Sequence, residues 1–200
     1  MKYFSKFFPA IAIVAFFALS SFTGESNHLS HFTLVGDTSD TKKITINDQY
    51  YLMIGKHMKE DKTLNDEASL QYADPEEELY IIVIDEVTKD FTSAFKNEKG
   101  WDNKMSVAEN YRRVQMASMK KKMKAKGKPV ITKTKAGNMA MEIVDMTAKV
   151  PGIQYPILYK IGFAEGGDHL YMVMSWTLAE YSKRHNREME EMLTSLRTID

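Results

Sequence analysis

Methionine and lysine form the most distinctive functional pattern in this chain of 200 residues. Met116, Met119 and Met123 follow one another at spacings of three and four, so they share one stripe of any helix that contains them. Thioether side chains are flexible and polarizable, and methionine-rich surfaces suit the binding of varied apolar partners. The stripe therefore predicts a contact surface for a protein partner. The alternative is that the same methionines pack into the core.

A run of lysines overlaps this stripe. Its members are Lys120, Lys121, Lys122, Lys124, Lys126, Lys128, Lys133 and Lys135. Clusters of about four to eight basic residues bind acidic proteins or anionic lipids, so the run predicts docking to a protein partner or to an anionic membrane surface. The alternative is a solvated helix end whose cations offset the helix dipole. The predicted partner-binding residues are Met116, Met119, Met123, Lys120 and Lys124.

Nucleic acid is not expected as a partner. The chain has 27 basic and 27 acidic side chains, so its net charge provides no long-range attraction for a polyanion. The lysine run also lacks the interleaved aromatic residues on which bases stack.

Residue sets typical of the common catalytic mechanisms are missing, so we predict that the protein is not an enzyme. The chain contains no cysteine and no Gly-x-Ser-x-Gly, P-loop or dinucleotide-binding motif. Ser118 and Lys121 have the spacing of a Ser-x-x-Lys motif, but its partner motifs are absent. The alternative is a small hydrolase or ligand carrier, which requires a pocket in which His57 or His169 meets a carboxylate.

The five histidines are too scattered to predict a metal site, and no cofactor is expected. His28 and His31 are three residues apart, but no third ligand accompanies them. Two further pairs of methionines alternate along predicted strands, which favours core packing over binding of Cu(I).

Residues 1–20 have the pattern of a secretory signal peptide. Lys2 and Lys6 give a positive start, an apolar run follows, and Ala18-Leu19-Ser20 supplies small residues for cleavage. Residues 21–42 are polar and lack periodicity, which predicts a flexible tether. The protein is therefore predicted to be exported, to the periplasm or beyond it. The alternative is an uncleaved N-terminal membrane anchor, and the absence of cysteine excludes lipidation at the cleavage site.

Residues 43–200 are predicted to form a single domain, and their composition of 44% hydrophobic and 27% charged residues supports one core. Strands before the first helix are expected at Lys43–Asn47, Tyr50–Ile54, Ala68–Tyr72 and Leu79–Val87. The last of these contains an unbroken apolar run, which is typical of a central strand buried on both faces.

Two capping boxes predict where helices begin. Ser106-Val107-Ala108-Glu109 opens a helix that is expected to reach Lys126 and to end at Gly127. Thr177-Leu178-Ala179-Glu180 is expected to open a last helix with one apolar stripe, which His185 shares. The apolar residues of this stripe are Tyr181, Met189, Met192, Leu193 and Leu196. The strands between the helices are expected at Val130–Lys135, Met139–Val150, Tyr155–Ala164 and Leu170–Thr177.

Short turns that contain glycine, such as Gly137-Asn138 and Gly166-Gly167-Asp168, favour antiparallel hairpins between these strands. Hairpin-paired strands with separate helices indicate the α+β class. Because the central strand is apolar throughout, it needs cover on both faces. We therefore predict a three-layer α/β/α sandwich around a mainly antiparallel sheet.

The order of these elements resembles the Mog1/PsbP-like superfamily over about residues 43–200. The matching features are Ala68–Tyr72 followed by Tyr80–Asp85, the long helix after Ser106, and the closing strand Tyr171–Thr177 with the charged helix that ends at Leu193-Thr194-Ser195-Leu196-Arg197. The resemblance implies an α/β/α sandwich and a binding or accessory role. Members of the superfamily include a Ran-binding nuclear factor, an extrinsic photosystem subunit and exported bacterial proteins. Since they share no catalytic set, the resemblance implies no catalytic residues.

Overall fold

The structure is a computed structural model that describes residues 40–97 and 101–199. The strands are β1 (Thr41–Ile46), β2 (Tyr50–Gly55), β3 (Lys59–Glu60), β4 (Leu70–Asp74), β5 (Leu79–Val87), β6 (Lys124–Ala136), β7 (Met139–Lys149), β8 (Ile157–Gly166), β9 (His169–Leu178) and β10 (Arg197–Thr198). The helices are α1 (Thr88–Phe95), α2 (Val107–Lys122) and α3 (Ser182–Thr194).

Seven strands form the main sheet, in the order β3-β4-β5-β9-β8-β7-β6, and all neighbours are antiparallel. The apolar strand β5 lies inside the sheet, where it pairs with β9 from Tyr80↔Trp176 to Val87↔His169. A second, smaller sheet has the order β1-β2-β10. The prediction of a central strand at Leu79–Val87 in a mainly antiparallel sheet is confirmed.

The two faces of the main sheet are covered by different elements. Because successive side chains of a strand point to opposite faces, Ile82 and Val83 of β5 enter separate core clusters. The first cluster includes Tyr111 of α2, and the second includes Leu193 of α3 and Leu52 of the smaller sheet. Helices therefore cover both faces, as the α+β three-layer prediction requires.

The first helix begins as predicted but ends earlier. The Ser106 hydroxyl accepts a hydrogen bond from the Glu109 N–H, and the Glu109 carboxylate accepts one from the Ser106 N–H. At its other end the helix stops at Lys122, so the predicted end at Gly127 is wrong. Lys124 pairs instead with Lys149 of β7, and strand pairing overrides the helix propensity of the lysine run.

The last helix also begins later than its capping box predicted. Strand β9 continues through Thr177 to Leu178, a 3-10 turn follows, and α3 starts at Ser182 without a side-chain cap. Most of the predicted stripe is buried, namely His185, Met189, Met192, Leu193 and Leu196. Tyr181 is the exception, because it lies in the 3-10 turn and is 37% exposed.

The predicted signal peptide (1–20) and residues 21–39 of the predicted tether lie outside the described residues. Strand β1 begins at Thr41, two residues before the strand predicted at Lys43. Among the helices of residues 40–97 and 101–199, no helix has the length and apolar character needed to cross a membrane.

Candidate binding cleft

A cleft of about 830 Å³ opens where three parts of the fold meet. These are the C-terminal end of α2, the start of β6 and the loop between β7 and β8. The residues that line it are Lys120–Lys122, Met123, Lys124, Ala125, Gly127, Pro129, Lys149, Val150, Pro151, Ile153 and Gln154. A cleft of this size can hold several residues of an extended chain, and small-molecule sites of similar volume are common.

The charged side chains of the cleft are all lysines. We name the cleft the lysine groove after Lys120, Lys121, Lys122, Lys124 and Lys149. Among the described residues, none of the five forms an ion pair, and no Asp or Glu lines the groove. Clustered positive charge beside a low-dielectric wall concentrates the local potential, so the groove attracts anionic groups.

The floor of the groove is apolar. Met123 is buried, and Val150 and Ile153 pack against the core cluster under α2. A ligand that combines acidic and apolar groups could therefore place its charges on the rim and its apolar groups on this floor.

A bulge in β6 shapes the groove. The register between β6 and β7 shifts between Lys126 and Val130, and Gly127 adopts a φ of +80° within this bulge. Non-glycine residues rarely adopt that conformation, so glycine is suited to the position. Pro129 follows, and it adds no backbone N–H to the ladder.

A smaller cleft of about 190 Å³ adjoins the groove. It shares Lys120 and Pro129 with the groove and extends towards Arg112 of α2 and Ile131 of β6. The two clefts follow the outer edge of the main sheet, because β6 is its last strand.

The methionine stripe does not form the exposed surface that the sequence predicted. Met116 and Met123 are 7% exposed and Met119 is 1% exposed, because the stripe faces the main sheet beside Tyr111. The alternative interpretation, core packing, describes all three residues. Met116 and Met123 still reach the walls of the two clefts, whereas Met119 does not line either.

The predicted lysines are placed together, since Lys120 and Lys124 are exposed and both line the groove. Their binding of a partner remains a prediction. Lys149 was missed, because it follows an ordinary strand pattern and reaches the groove only through its pairing with Lys124. The position of Lys149 could have been predicted only if the helix had been expected to end at Lys122, because Lys124 is then free to pair with Lys149.

One lysine of the run, Lys133, forms ion pairs with carboxylates of the protein itself. Lys133 lies 2.9 Å from Glu109 of α2 and 3.6 Å from Glu142 of β7, which also binds Arg112 at 2.6 Å. The Ser106 N–H and then Lys133 lower the pKa of Glu109 to about 2. This network fastens α2 to the edge of the sheet and compensates the charge of Lys133, whereas the lysines of the groove form no ion pair within the described residues.

The histidines do not form the pocket that a hydrolase would need. The ring nitrogens of His57 lie 2.8 Å from Asp74 and 2.9 Å from Glu188, so both are engaged by carboxylates. His169 contacts Asp168, whose side chain is 85% exposed. Neither histidine lines the two clefts. His28 and His31 lie outside the described residues.

The sheet order and its helical cover give a fold that is similar to that of a solved PsbP structure. The chain is similar to cyanobacterial PsbP (CyanoP) from a Synechocystis species, with a TM-score of 0.52 and 11% identity over 85% of this chain and 98% of that one. This likeness concerns the fold alone, and it confirms the fold expected from the sequence.

Two other solved structures are similar over most of the chain. The Ran-binding protein Mog1p of Saccharomyces cerevisiae has a TM-score of 0.46 and 11% identity, over 80% of this chain and 96% of that one. A protein of unknown function from Pseudomonas aeruginosa, described as a putative regulator, has a TM-score of 0.44 and 8% identity, over 78% of this chain and 94% of that one. No protein-family model and no curated protein sequence matches the chain.

Proposed function

We propose that this protein is a non-enzymatic binding or accessory protein that holds an acidic segment of a protein partner in the lysine groove. The observation that carries the proposal is the combination of five unpaired lysines on the rim with an apolar floor. The Mog1/PsbP-like fold is compatible with such a role. The export pattern of residues 1–20 suggests that the partner is met outside the cytoplasm.

A protein segment fits this surface better than a membrane does. The lysines surround a concave cleft, so an extended chain can reach all of them and also the floor between them. A bilayer is flat over these dimensions, and it could contact only the outermost side chains. Membrane docking through polybasic segments also requires no apolar floor.

A hydrolase or small-ligand carrier is less well supported. The groove contains no Asp, Glu or His that could transfer protons. His57 has a carboxylate at each ring nitrogen, so neither nitrogen is left to accept a proton from a substrate.

The proposal can be tested with a fluorescent peptide of about 12 residues that mixes Glu with Leu, and with its Glu→Gln analogue. We expect the acidic peptide to bind, with a Kd that rises with salt, and the triple variant Lys121→Glu, Lys122→Glu, Lys124→Glu to bind at least about tenfold more weakly. The matched control is Lys59→Glu, Lys89→Glu, Lys183→Glu, which changes the net charge equally on exposed positions elsewhere.

Equal losses in the two triple variants would show that only net charge matters and would overturn the groove proposal. Binding to vesicles that contain phosphatidylglycerol, without binding to the peptide, would assign the groove to membranes instead. In cells, a photo-crosslinker at position 121 should capture an acidic segment, and a captured segment without acidic residues would also contradict the proposal.

A further inference from the structure

Strand β6 is a long strand at the edge of the main sheet. It spans 13 residues and pairs with β7 on one side, and no strand of the described residues pairs with its other side. The opposite edge strand, β3, has only two residues. A long edge strand presents a row of unpaired backbone groups, and proteins usually shorten, bend or charge such strands to prevent pairing.

The two halves of β6 differ in how far they are protected. The first half carries Pro129 and the bulge between Lys126 and Val130, and both features oppose the addition of another strand. The second half is regular, since its register runs without interruption from Val130↔Asp145 to Ala136↔Met139. The open part of the edge is therefore the segment from Val130 to Lys135.

The hairpin turn determines which backbone groups of this segment point outward. Gly137 and Asn138 form a two-residue turn, so the flanking pair Ala136↔Met139 exchanges hydrogen bonds. Bonded and non-bonded pairs alternate in an antiparallel ladder. The residues that direct their N–H and C=O groups away from β7 are therefore Ile131, Lys133 and Lys135.

The side chains of β6 indicate the kind of segment that would pair there. Val130 is 60% exposed and Ile131 is 47% exposed, which provides an apolar contact on each face of an added strand. The strand has five lysines and no Asp or Glu, and on its open half Lys135 forms no ion pair with any described residue, whereas Lys133 already contacts Glu109 and Glu142. A second copy of β6 would oppose lysine with lysine, whereas an acidic strand would be complementary.

This edge also adjoins the site already described. Ile131 lines the smaller cleft, which meets the lysine groove at Lys120 and Pro129. An extended chain paired with the second half of β6 can therefore continue into the groove.

We infer that the partner's acidic segment binds by strand addition, pairing its backbone with Ile131, Lys133 and Lys135 of β6. The inference rests on the proposed function and specifies its binding mode: main-chain hydrogen bonds supply affinity, and the lysines select acidic side chains.

The test compares proline with side-chain substitutions at outward-facing positions. Ile131→Pro removes an outward N–H at an edge position that tolerates proline, whereas Ile131→Ala removes the side chain and keeps the N–H. Lys135→Pro and Lys135→Gln form a second pair with equal loss of charge. The probe is a fluorescent peptide of about 12 residues in which Glu and Val alternate. We expect each proline variant to bind the peptide at least about tenfold more weakly. The matched variants, Ile131→Ala and Lys135→Gln, should weaken binding less than about threefold.

The outcomes separate the two proposals. Full binding by both proline variants, with loss in the triple groove variant, would overturn strand addition and leave the groove proposal intact. Equal losses for Ile131→Pro and Ile131→Ala would show that the side chain alone is bound, which also overturns strand addition. No loss in the groove variant would contradict the proposed function itself.

Two measurements on the unaltered protein keep the test valid if a proline variant does not fold. Amide hydrogen exchange with the peptide bound should slow at residues 131, 133 and 135 more than at 132 and 134, which already bond to β7. Equal protection at all five residues would overturn the inference. Sedimentation should show no dimerisation through this edge, and a dimer disrupted by Lys135→Pro would assign the edge to a second copy of the chain.

Discussion

His57 Nε2 lies 2.9 Å from Glu188 Oε1, which fastens the loop between β2 and β3 to helix α3. The other ring nitrogen, Nδ1, lies 2.8 Å from Asp74 at the end of β4. One imidazole therefore connects three elements that are distant in sequence. Because each nitrogen faces a carboxylate, the protonated ring can donate both hydrogen bonds at once.

Further charged groups surround this contact on the side of α3. The buried His185 lies 3.7 Å from Glu188 and 3.7 Å from Glu77, and Arg184 binds Glu77 at 2.6 Å. The turn between β4 and β5 is thereby joined to the helix a second time. Protonation at His57 acts within a network of two histidines, one arginine and three carboxylates.

The first prediction concerns pH. Partial burial disfavours the charged ring, but hydrogen bonds to Glu188 and Asp74 outweigh burial and raise the pKa of His57. Burial alone would raise the pKa values of Asp74 and Glu188, but the histidine contacts, with backbone N–H groups at Asp74, lower them. The raised pKa of His57 therefore adds to the free energy of unfolding, fully below about pH 6.5, and this stabilisation is lost as pH rises through the raised pKa. The lowered pKa values of Asp74 and Glu188 add stability fully above about pH 4.3, and this stabilisation is lost as pH falls through the lowered values.

Urea unfolding of His57→Gln should therefore show a larger loss of stability near about pH 5.5 than near about pH 8.5. The His57 side chain is 41% exposed, so the difference should not exceed about 1 kcal/mol. A double-mutant cycle with Glu188→Gln isolates the pair. The same loss at both pH values would mean that packing, and not charge, accounts for the contact.

Where a strand is decided by local pattern, the sequence predicts it well. Strand β5 was expected at Leu79–Val87 and occupies those residues, because a run of apolar side chains can be satisfied only inside the sheet. The turns at Gly137 and Gly167 were likewise predictable, since both residues adopt a positive φ that favours glycine.

Elements that depend on distant contacts were not predicted. Helix α1 has no side-chain N-cap, and the Thr88 N–H bonds instead to the Asp168 carbonyl from the turn between β8 and β9. The two-residue strands β3 and β10 exist only through pairing with β4 and β2. The site shows the same division. The lysine cluster is visible in sequence, but the groove needs the early end of α2 and the approach of Lys149.

The second prediction tests the burial of the methionine stripe. Met119 is 1% exposed under α2, so Met119→Ala should lower the free energy of unfolding by about 2–5 kcal/mol through lost contacts and a residual cavity. The neighbouring Lys120 is exposed, and Lys120→Ala should change the free energy of unfolding by less than about 0.5 kcal/mol. Chemical denaturation of both variants provides the comparison. An equally small change in the free energy of unfolding for both variants would contradict the burial of Met119.

The third prediction concerns the capping box of α2. Ser106→Ala removes the hydroxyl that accepts from the Glu109 N–H at 3.1 Å, and the loss should cost about 1 kcal/mol. Ser93→Ala, at an exposed position of α1, is the control and should be nearly neutral. Equal midpoints in urea for the two variants would show that the reciprocal Glu109 bond suffices to start the helix.

The fourth prediction concerns a lysine inside the apolar strand β8. Lys160 is 3% exposed on the face covered by α3, and its ammonium group lies 2.8 Å from Asp145 and 3.3 Å from Glu190. Burial of an ammonium group is costly, and these carboxylates compensate for it. Lys160→Met preserves most of the side-chain volume but removes the charge. Because Asp145 and Glu190 are 32% and 53% exposed, water can partly replace the lysine.

We therefore expect Lys160→Met to destabilise the fold by about 1–3 kcal/mol, less than the loss typical of breaking a fully buried pair. Lys160→Ala should cost more, because it also leaves a cavity. Lys183→Met, at an exposed position of α3, is the control and should be nearly neutral. An increase in stability for Lys160→Met, measured by urea unfolding, would show that desolvation of this lysine outweighs its two ion pairs.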